Sequence, residues 1–356
     1  MKITHIIEAS ATGTLSMAAL LANSQAASNH SVEIIYSIRP ETPENFTDFF
    51  DKAIQLTNIQ MSSLKDRFIC IKKIRYKLTN DAPDQVFMHS SFAGFLGRIA
   101  ALNTLPKTRF FYIPHCISFM RKDVGTFKKF VFIAFEWLAS LKKTDYIACS
   151  ESERLSISTY IPFRKCHLIE NAIDFSKSEK LTPQIYKHRK QSVITVGQIR
   201  PQKGPDQFAS IALAVKAINP SIEFIWVGDG EQEARFELEK AGVNVLGWLH
   251  KEAVWQYLNA SKIYLSTARW EGMPVSLIEA YVAGLPVIAS NCAGNKDIID
   301  HGHTGWLFNS TDEAITHILF AMNNPDVAAS KAKKAIDEAR ERFCVSRYVK
   351  EMESLV

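Results

Sequence analysis

The sequence predicts an α/β protein made of two Rossmann-like domains, each a parallel sheet wrapped by helices, facing each other across a cleft. Three observations predict it. Short apolar runs alternate with helix-length stretches along nearly the whole chain, the pattern of repeated βαβ units. The apolar runs end at glycine or small polar residues, where open α/β sheets bind ligands. The alternation breaks once, at a polar stretch with Pro183 over 176–191, and then restarts. At 356 residues the chain is also long for one compact core.

In order, Lys2–Glu8 reads as a buried strand, Ala9–Thr14 as a tight turn, Leu15–Ala27 as a helix and Val32–Tyr36 as the next strand. Val86–Met88, Arg109–Ile113 and Asp145–Cys149 are further strands, and the first domain closes near Ile169 or Asn171. After the linker, Ser192–Gly197 runs from strand into a glycine turn, Asp206–Ala217 is helical, and Ile222–Gly228 repeats the strand-to-glycine pattern. Val243–Gly247, Ile263–Ser266 and Pro286–Ala289 follow as strands. The expected limits are 1–175 for the first domain, 176–191 for the linker, 192–335 for the second domain and 336–356 for a helical tail that crosses back to the first.

A composition of 47% hydrophobic and 22% charged residues argues against disorder. The net charge of +5 suits a phosphate-bearing substrate or an anionic membrane surface and is too weak to point to nucleic acid. Six scattered cysteines without a C-x-x-C pair argue for reduced thiols rather than a disulfide framework or a metal site. Glu8 interrupts the first apolar stretch, which disfavours a cleaved export signal. No run of about 18 uncharged apolar residues exists, so no spanning helix is expected.

The most informative stretch is Thr267–Ala280. A strand ends at Ser266, a loop carries Glu271 and Gly272, and Pro274 stands where a first helical position is expected. The free N–H groups of a helix start bind anions, and Gly272 admits a ligand close to the backbone. Glu271 and Glu279, separated by seven residues, are placed to take hydroxyls from two different sugars. Taken singly, either glutamate is as well explained as a solvated carboxylate.

Glu271 and Glu279 match the E-x7-E motif of the retaining GT-B glycosyltransferases of family 4, and the surrounding Glu271–Ala289 resembles that family's signature. The resemblance spans the chain and is strongest from Val193 to Phe308. It implies that Glu271 binds donor-sugar hydroxyls, that Glu279 binds the nucleotide ribose, and that the backbone of Met273, Pro274 and Val275 lines the diphosphate and sugar site. Val196–Asp206 forms a second element: a strand, a turn at Gly197, two cations and a helix start, a cradle for a diphosphate. Lys203 matches the family's diphosphate lysine. The family's arginine position holds Gln198, and Arg200 is expected to take over its role. No D-x-D motif occurs, so no metal and no cofactor are expected, and side chains must neutralise the leaving nucleotide.

Gly228-Asp229-Gly230 invites a dinucleotide reading, but Glu233 stands where the third glycine of that fingerprint belongs. The segment instead resembles the family's glycine turn near the nucleotide. Trp248 either stacks on the base or packs. Gly294–Lys296 and Gly302–Gly305 complete the family pattern as turns. In the first half, the context of His115 resembles that of the family's cleft histidine, which contacts the donor sugar. Gly13 matches the glycine turn after the first strand and is assigned to the donor. Thr14, His89 and Ser90 are assigned to the acceptor.

Residues 121–143 are basic at both ends and aromatic in the middle. A core helix with a solvated basic end is the favoured reading, its lysines assisting weak contact with anionic lipid. The family resemblance implies an enzyme that moves a sugar from a UDP-sugar to a lipid-diphosphate-linked saccharide with retention, and it is expected in the cytoplasm, peripheral on the inner face of the membrane. The process implied is O-antigen or capsule assembly. A non-catalytic nucleotide-binding protein of the same fold, or an NAD-dependent oxidoreductase, are the rival readings.

Overall fold

The computed structural model of the protein describes residues 1–10, 12–61, 64–176 and 186–355. The chain forms two compact units, one of Met1–Glu170 with Glu351–Val356, the other of Asn171–Lys350.

The first unit is built on a seven-stranded parallel sheet: β1 (Lys2–Ile7), β2 (Ser31–Tyr36), β3 (Gln55–Asn58), β4 (Gln85–His89), β5 (Arg109–Ile113), β6 (Asp145–Ala148) and β7 (Cys166–Leu168). Their spatial order is β3-β2-β1-β4-β5-β6-β7. The inner strands are buried on both faces, as parallel strands covered by helices must be, and so read as apolar runs. The edge strands β3 and β7 have one neighbour each and are short and half-polar, which hid them from the hydrophobic pattern. Because the order reverses between β1 and β4, the loops that follow these two strands flank a topological switch point.

The helix Thr126–Ala139 meets the core-helix reading only in part: Phe132 and Ile133 pack against the core. Phe127, Phe130, Phe135, Trp137 and Leu138 are exposed, while Glu136 is buried. Glu136 lies inward because the fully buried Arg98 donates to it at 2.5 Å, as does the Tyr146 hydroxyl. A buried guanidinium requires such a partner.

The second unit carries a six-stranded parallel sheet: β8 (Lys190–Val196), β9 (Glu223–Val227), β10 (Val243–Val245), β11 (Ser261–Ser266), β12 (Val287–Ser290) and β13 (Gly305–Phe308), in the order β10-β9-β8-β11-β12-β13. Its core joins Val193, Phe208, Phe224, Trp226, Ile263, Leu265 and Ile288 from strands and the helix Pro205–Ile218. Here the switch point lies between β8 and β11. Of the expected linker 176–191, residues 177–185 lie outside the described residues, and Lys190 and Gln191 already belong to β8. The boundary expected at 335/336 falls inside the continuous helix Pro325–Arg342. No helix among the described residues is long and apolar enough to cross a membrane.

Candidate active site

At the switch point of the second sheet, the loop after β8 meets the loop after β11. The Lys203 ammonium lies 2.8 Å from Glu271 Oε1, and both side chains are mostly buried. Gln202 completes the pair, its amide donating to Glu271 Oε2 at 3.1 Å and to the Trp270 carbonyl at 3.0 Å. Burial disfavours the charged ammonium of Lys203, but the Glu271 carboxylate outweighs it and the lysine's pKa is raised. Lys203 is therefore a fixed positive charge. Arg200 is exposed, and its charge is felt at Lys203, where it opposes protonation.

Glycine geometry brings the two loops together. Gly204, at φ +64°, passes so close to the second loop that a Cβ there meets the Thr267 carbonyl oxygen at 2.2 Å. The Thr267 hydroxyl then donates to the carbonyls of Lys203 and Gly204 at 2.8 and 2.9 Å. Gly294, at φ +86°, gives the same clearance behind Glu271. Gly294 does not merely turn the chain; it starts the short helix Asn295–Ile298. A brace that sequence reasoning missed is the exposed pair of Arg269 with both oxygens of Asp206, at 2.6 and 2.7 Å.

The helix Val275–Val282 opens at this site one residue later than expected, with Pro274 at its N-cap rather than its first position, and no side chain among the described residues caps it. Its first N–H groups are thus left for a ligand. Gly272 and Met273 are buried in the approach to the helix, and Asn171 holds the Met273 carbonyl through a 2.8 Å hydrogen bond. Glu279, within the helix, is buried and paired with Lys251. Lys251 was invisible in the sequence because it opens a different helix, Lys251–Ala260, and is followed by an acidic residue.

The glycines of the dinucleotide-like segment have a packing role. A Cβ on Gly228 (φ +134°) meets the Gly197 carbonyl oxygen at 2.1 Å, and one on Gly230 meets that of Ile199 at the same distance. These residues let the ends of β8 and β9 close on each other, which explains two glycines without a third. Gly197 (φ +156°) keeps room for the Lys203 side chain. Trp248, on the loop after β10, is 54% exposed, so its ring does not serve the core.

In the first unit, His5, His89 and His115 stand in a row across the switch point of the sheet. His5 Nδ1 is 2.9 Å from His89 Nε2, and His89 Nδ1 is 3.2 Å from His115 Nε2. The rings stack in sequence. His89 is fully buried and has both nitrogens engaged, so it presents no surface to an acceptor; the expected acceptor contact from His89 is corrected on that ground. His115 and Cys116 adopt positive φ values of 55° and 108°, a strained turn. The buried Glu153 holds that turn by accepting the N–H groups of Cys116 and Ile117, both at 2.8 Å. Desolvation lowers the pKa of His115 to about 4. Ser90, at φ +81°, precedes the helix Ser91–Ala100, and its buried hydroxyl has no partner among the described residues. Gly13 and Thr14 lie in the first turn of the helix Thr12–Ala27 rather than in the expected turn.

Comparison with known proteins assigns both halves. The family described as Glycosyltransferase Family 4 matches residues 12–177, and that described as Glycosyl transferases group 1 matches residues 177–342. The UDP-Gal:alpha-D-GlcNAc-diphosphoundecaprenol alpha-1,3-galactosyltransferase of Escherichia coli is 31% identical over 278 residues, covering 71% of this chain and 67% of its own. An uncharacterized 41.2 kDa protein in the cps region of Klebsiella pneumoniae is 30% identical over 269 residues, covering 72% and 73%. Among solved structures, Anabaena HepE in complex with UDP and glucose aligns with a TM-score of 0.80 at 17% identity, over 100% of this chain and 99% of its own, and so shares the fold. The chain belongs to the GT-B glycosyltransferases of family 4.

Proposed function

We propose that the protein transfers a sugar from a UDP-sugar to a saccharide carried on a lipid diphosphate, with retention and without a metal, in the assembly of a bacterial surface polysaccharide. The observation that carries this reading is the buried Lys203–Glu271 pair at the switch point, beside the uncapped start of the helix Val275–Val282. A diphosphate needs positive charge and free N–H groups, and a sugar needs a carboxylate; here they converge. The Escherichia coli relative, whose name pairs UDP-Gal with a diphosphoundecaprenol acceptor, supports the choice of donor and acceptor classes.

In this reading Lys203 and Arg200 neutralise the diphosphate, Glu271 takes hydroxyls of the sugar, and Glu279 takes the ribose. Gly197, Gly228, Gly272, Met273, Pro274 and Val275 line the donor through their backbone, Trp248 stacks on the base, and Gly13 completes the donor contacts. His115 meets a sugar hydroxyl near the anomeric carbon, with Thr14 and Ser90 toward the acceptor. The bond from the anomeric carbon to the diphosphate oxygen breaks while the acceptor oxygen bonds that carbon from the same face. The acceptor's proton passes to the departing phosphate oxygen. Charge growing on the diphosphate is stabilised by cations already in place, each charge-assisted hydrogen bond supplying roughly 1.5–3 kcal/mol. The exposed aromatic stripe of the helix Thr126–Ala139 supports a peripheral contact with the membrane, which this reading places on the inner face.

The test is thermal melting with nucleoside diphosphates and UDP-sugars in EDTA, followed by anomeric analysis of the product by NMR. Ligand at about 100 times its dissociation constant stabilises by about 2.7 kcal/mol. A UDP-dependent shift lost in Glu279→Ala, and an α-linked product from an α-linked donor, support the reading. Nucleotide binding without turnover on any lipid-linked acceptor defeats the transfer, and no nucleotide shift at all defeats the donor site.

A further inference from the structure

The row of histidines in the first unit does not end at His5. His5 Nε2 lies 2.7 Å from the Gln25 side-chain oxygen, so four side chains form one line: Gln25, His5, His89, His115. They come from distinct parts of the fold. Gln25 is near the end of the helix Thr12–Ala27, His5 is on β1, His89 ends β4, and His115 follows β5. The parallel pairing of β1 with β4 sets His5 beside Phe87 and Ile7 beside His89, which puts the two rings on one face of the sheet. Phe87 and Phe111 stack behind His5 and keep that face apolar.

A neutral imidazole has one N–H and one bare nitrogen. Three neutral rings bonded end to end must therefore all point the same way, because a reversal sets two N–H groups, or two lone pairs, against each other. All three rings are held neutral by desolvation, with His5 and His115 lowered to about 4 and His89 well below its ordinary value. The Gln25 end of the row, where the partner is not a ring, then sets the direction for the whole. The Gln25 oxygen faces His5, so His5 donates from Nε2 and accepts at Nδ1. His89 in turn donates from Nε2, and His115 donates from Nε2 to His89 Nδ1. The nitrogen left at the other end, His115 Nδ1, is an acceptor.

We propose that Gln25, His5 and His89 are positioning residues for His115: the hydrogen-bonded row that joins them holds the His115 proton on Nε2 and keeps Nδ1 as an acceptor for a substrate hydroxyl. Its value for transfer rests on the reading that His115 meets the sugar. A sugar hydroxyl can then donate to Nδ1, whereas the opposite tautomer sets N–H against that hydrogen. Glu153 complements the row by fixing the backbone of the His115 turn while the row fixes the ring.

The test uses the full chain, labelled with nitrogen-15 at histidine, at pH 8. In the wild type the His115 signals are those of a single tautomer with the proton on Nε2. Gln25→Glu, a carboxylate that only accepts, keeps that tautomer and keeps kcat within about twofold. Gln25→Met removes the anchor: His115 becomes a mixture of tautomers and kcat falls on the order of tenfold, the scale seen for outer partners of functional histidines in metal sites, while the donor KM stays within about twofold. His89→Phe, checked for folding by circular dichroism, repeats the Met result. The proposal is overturned if Gln25→Met leaves the His115 signals unchanged, or if Gln25→Glu loses as much activity as Gln25→Met. Failure of the site reading looks different: His115→Ala then leaves kcat and donor KM at wild-type values, while the tautomer measurement still decides the row.

Discussion

Lys203 and Glu271 neutralise each other across 2.8 Å where the second sheet reverses its strand order. Each is mostly buried, so neither can be removed without stranding the other. Lys203→Met or Glu271→Gln should each destabilise the protein by about 3 kcal/mol, the lower end of the range for breaking a buried pair. The double variant Lys203→Met/Glu271→Gln should lose clearly less than the sum. Urea denaturation of the four proteins gives the coupling energy. Turnover should fall by at least about a hundredfold in Lys203→Met because the leaving diphosphate loses its buried cation. Additive stability losses would show that the pair is not the unit described.

Lys251 does for Glu279 what Lys203 does for Glu271, from a helix 28 residues away in sequence. Lys251 is partly exposed and Glu279 is not, so the lysine reaches in to pair with a buried carboxylate and aims it. Lys251→Met should weaken UDP binding by about tenfold, on the scale of one charge-assisted hydrogen bond, with kcat changed far less. Calorimetric titration with UDP, beside steady-state kinetics on the same variant, separates the two. Unchanged UDP affinity would remove Glu279 from the ribose site or Lys251 from its support.

These relationships mark where sequence reading stops. Glu271, Glu279 and Lys203 were singled out because Glu271–Ala289 and Val196–Asp206 resemble a family signature. Their partners were not. Gln202 and Asn171 act through side-chain amides on backbone carbonyls, and nothing in their neighbourhood sets them apart from surface amides. His5 left a trace, a titratable residue in the middle of the buried β1, but its meaning needed the β1–β4 register. The buried inner strands were plain, whereas β3 and β7 were lost because an edge strand need not be apolar on both faces. In the helix Thr126–Ala139 the composition shows the aromatics but not which face the core: Phe132 and Ile133 pack inward, Phe127 and Phe130 do not, and Arg98 draws Glu136 inward.

The buried histidines make acid stability a second readout of the row. A histidine that stays neutral in the fold to about pH 4 but has an ordinary value of 6.5 in the unfolded chain binds more protons when unfolded between those limits. Stability therefore rises with pH across that window, is lost as pH falls from about 6.5 toward 4, and is flat above about 7 for these groups. At pH 5, unfolding should take up close to one proton for each of His5, His89 and His115. His5→Phe should flatten the dependence by about one proton. Melting temperatures from pH 4.5 to 8 check this; a wild type equally stable at pH 5 and pH 7.5 would mean that the rings are not held neutral.

Phe127 and Phe130 lie one helical turn apart and are 81% and 69% exposed, with Trp137 half-exposed further along the same helix. Burying a phenylalanine contributes about 1.5–3 kcal/mol, so two exposed rings are a cost that a lipid surface removes. Lys128, between the two rings in sequence, and Lys143, beyond the helix end, are exposed, a combination suited to anionic headgroups. Lys142 belongs elsewhere: its ammonium donates to the Thr104 carbonyl at 2.6 Å and sits over the Phe110 ring. In vesicle flotation, Phe127→Ser/Phe130→Ser should bind phosphatidylglycerol vesicles at least about tenfold more weakly than wild type. Lys128→Ala/Lys143→Ala should make the remaining binding insensitive to salt. Lys142→Ala should instead lower the melting temperature and leave flotation alone. A wild type that ignores anionic vesicles at low salt removes the membrane from this face and leaves the aromatic stripe to another partner.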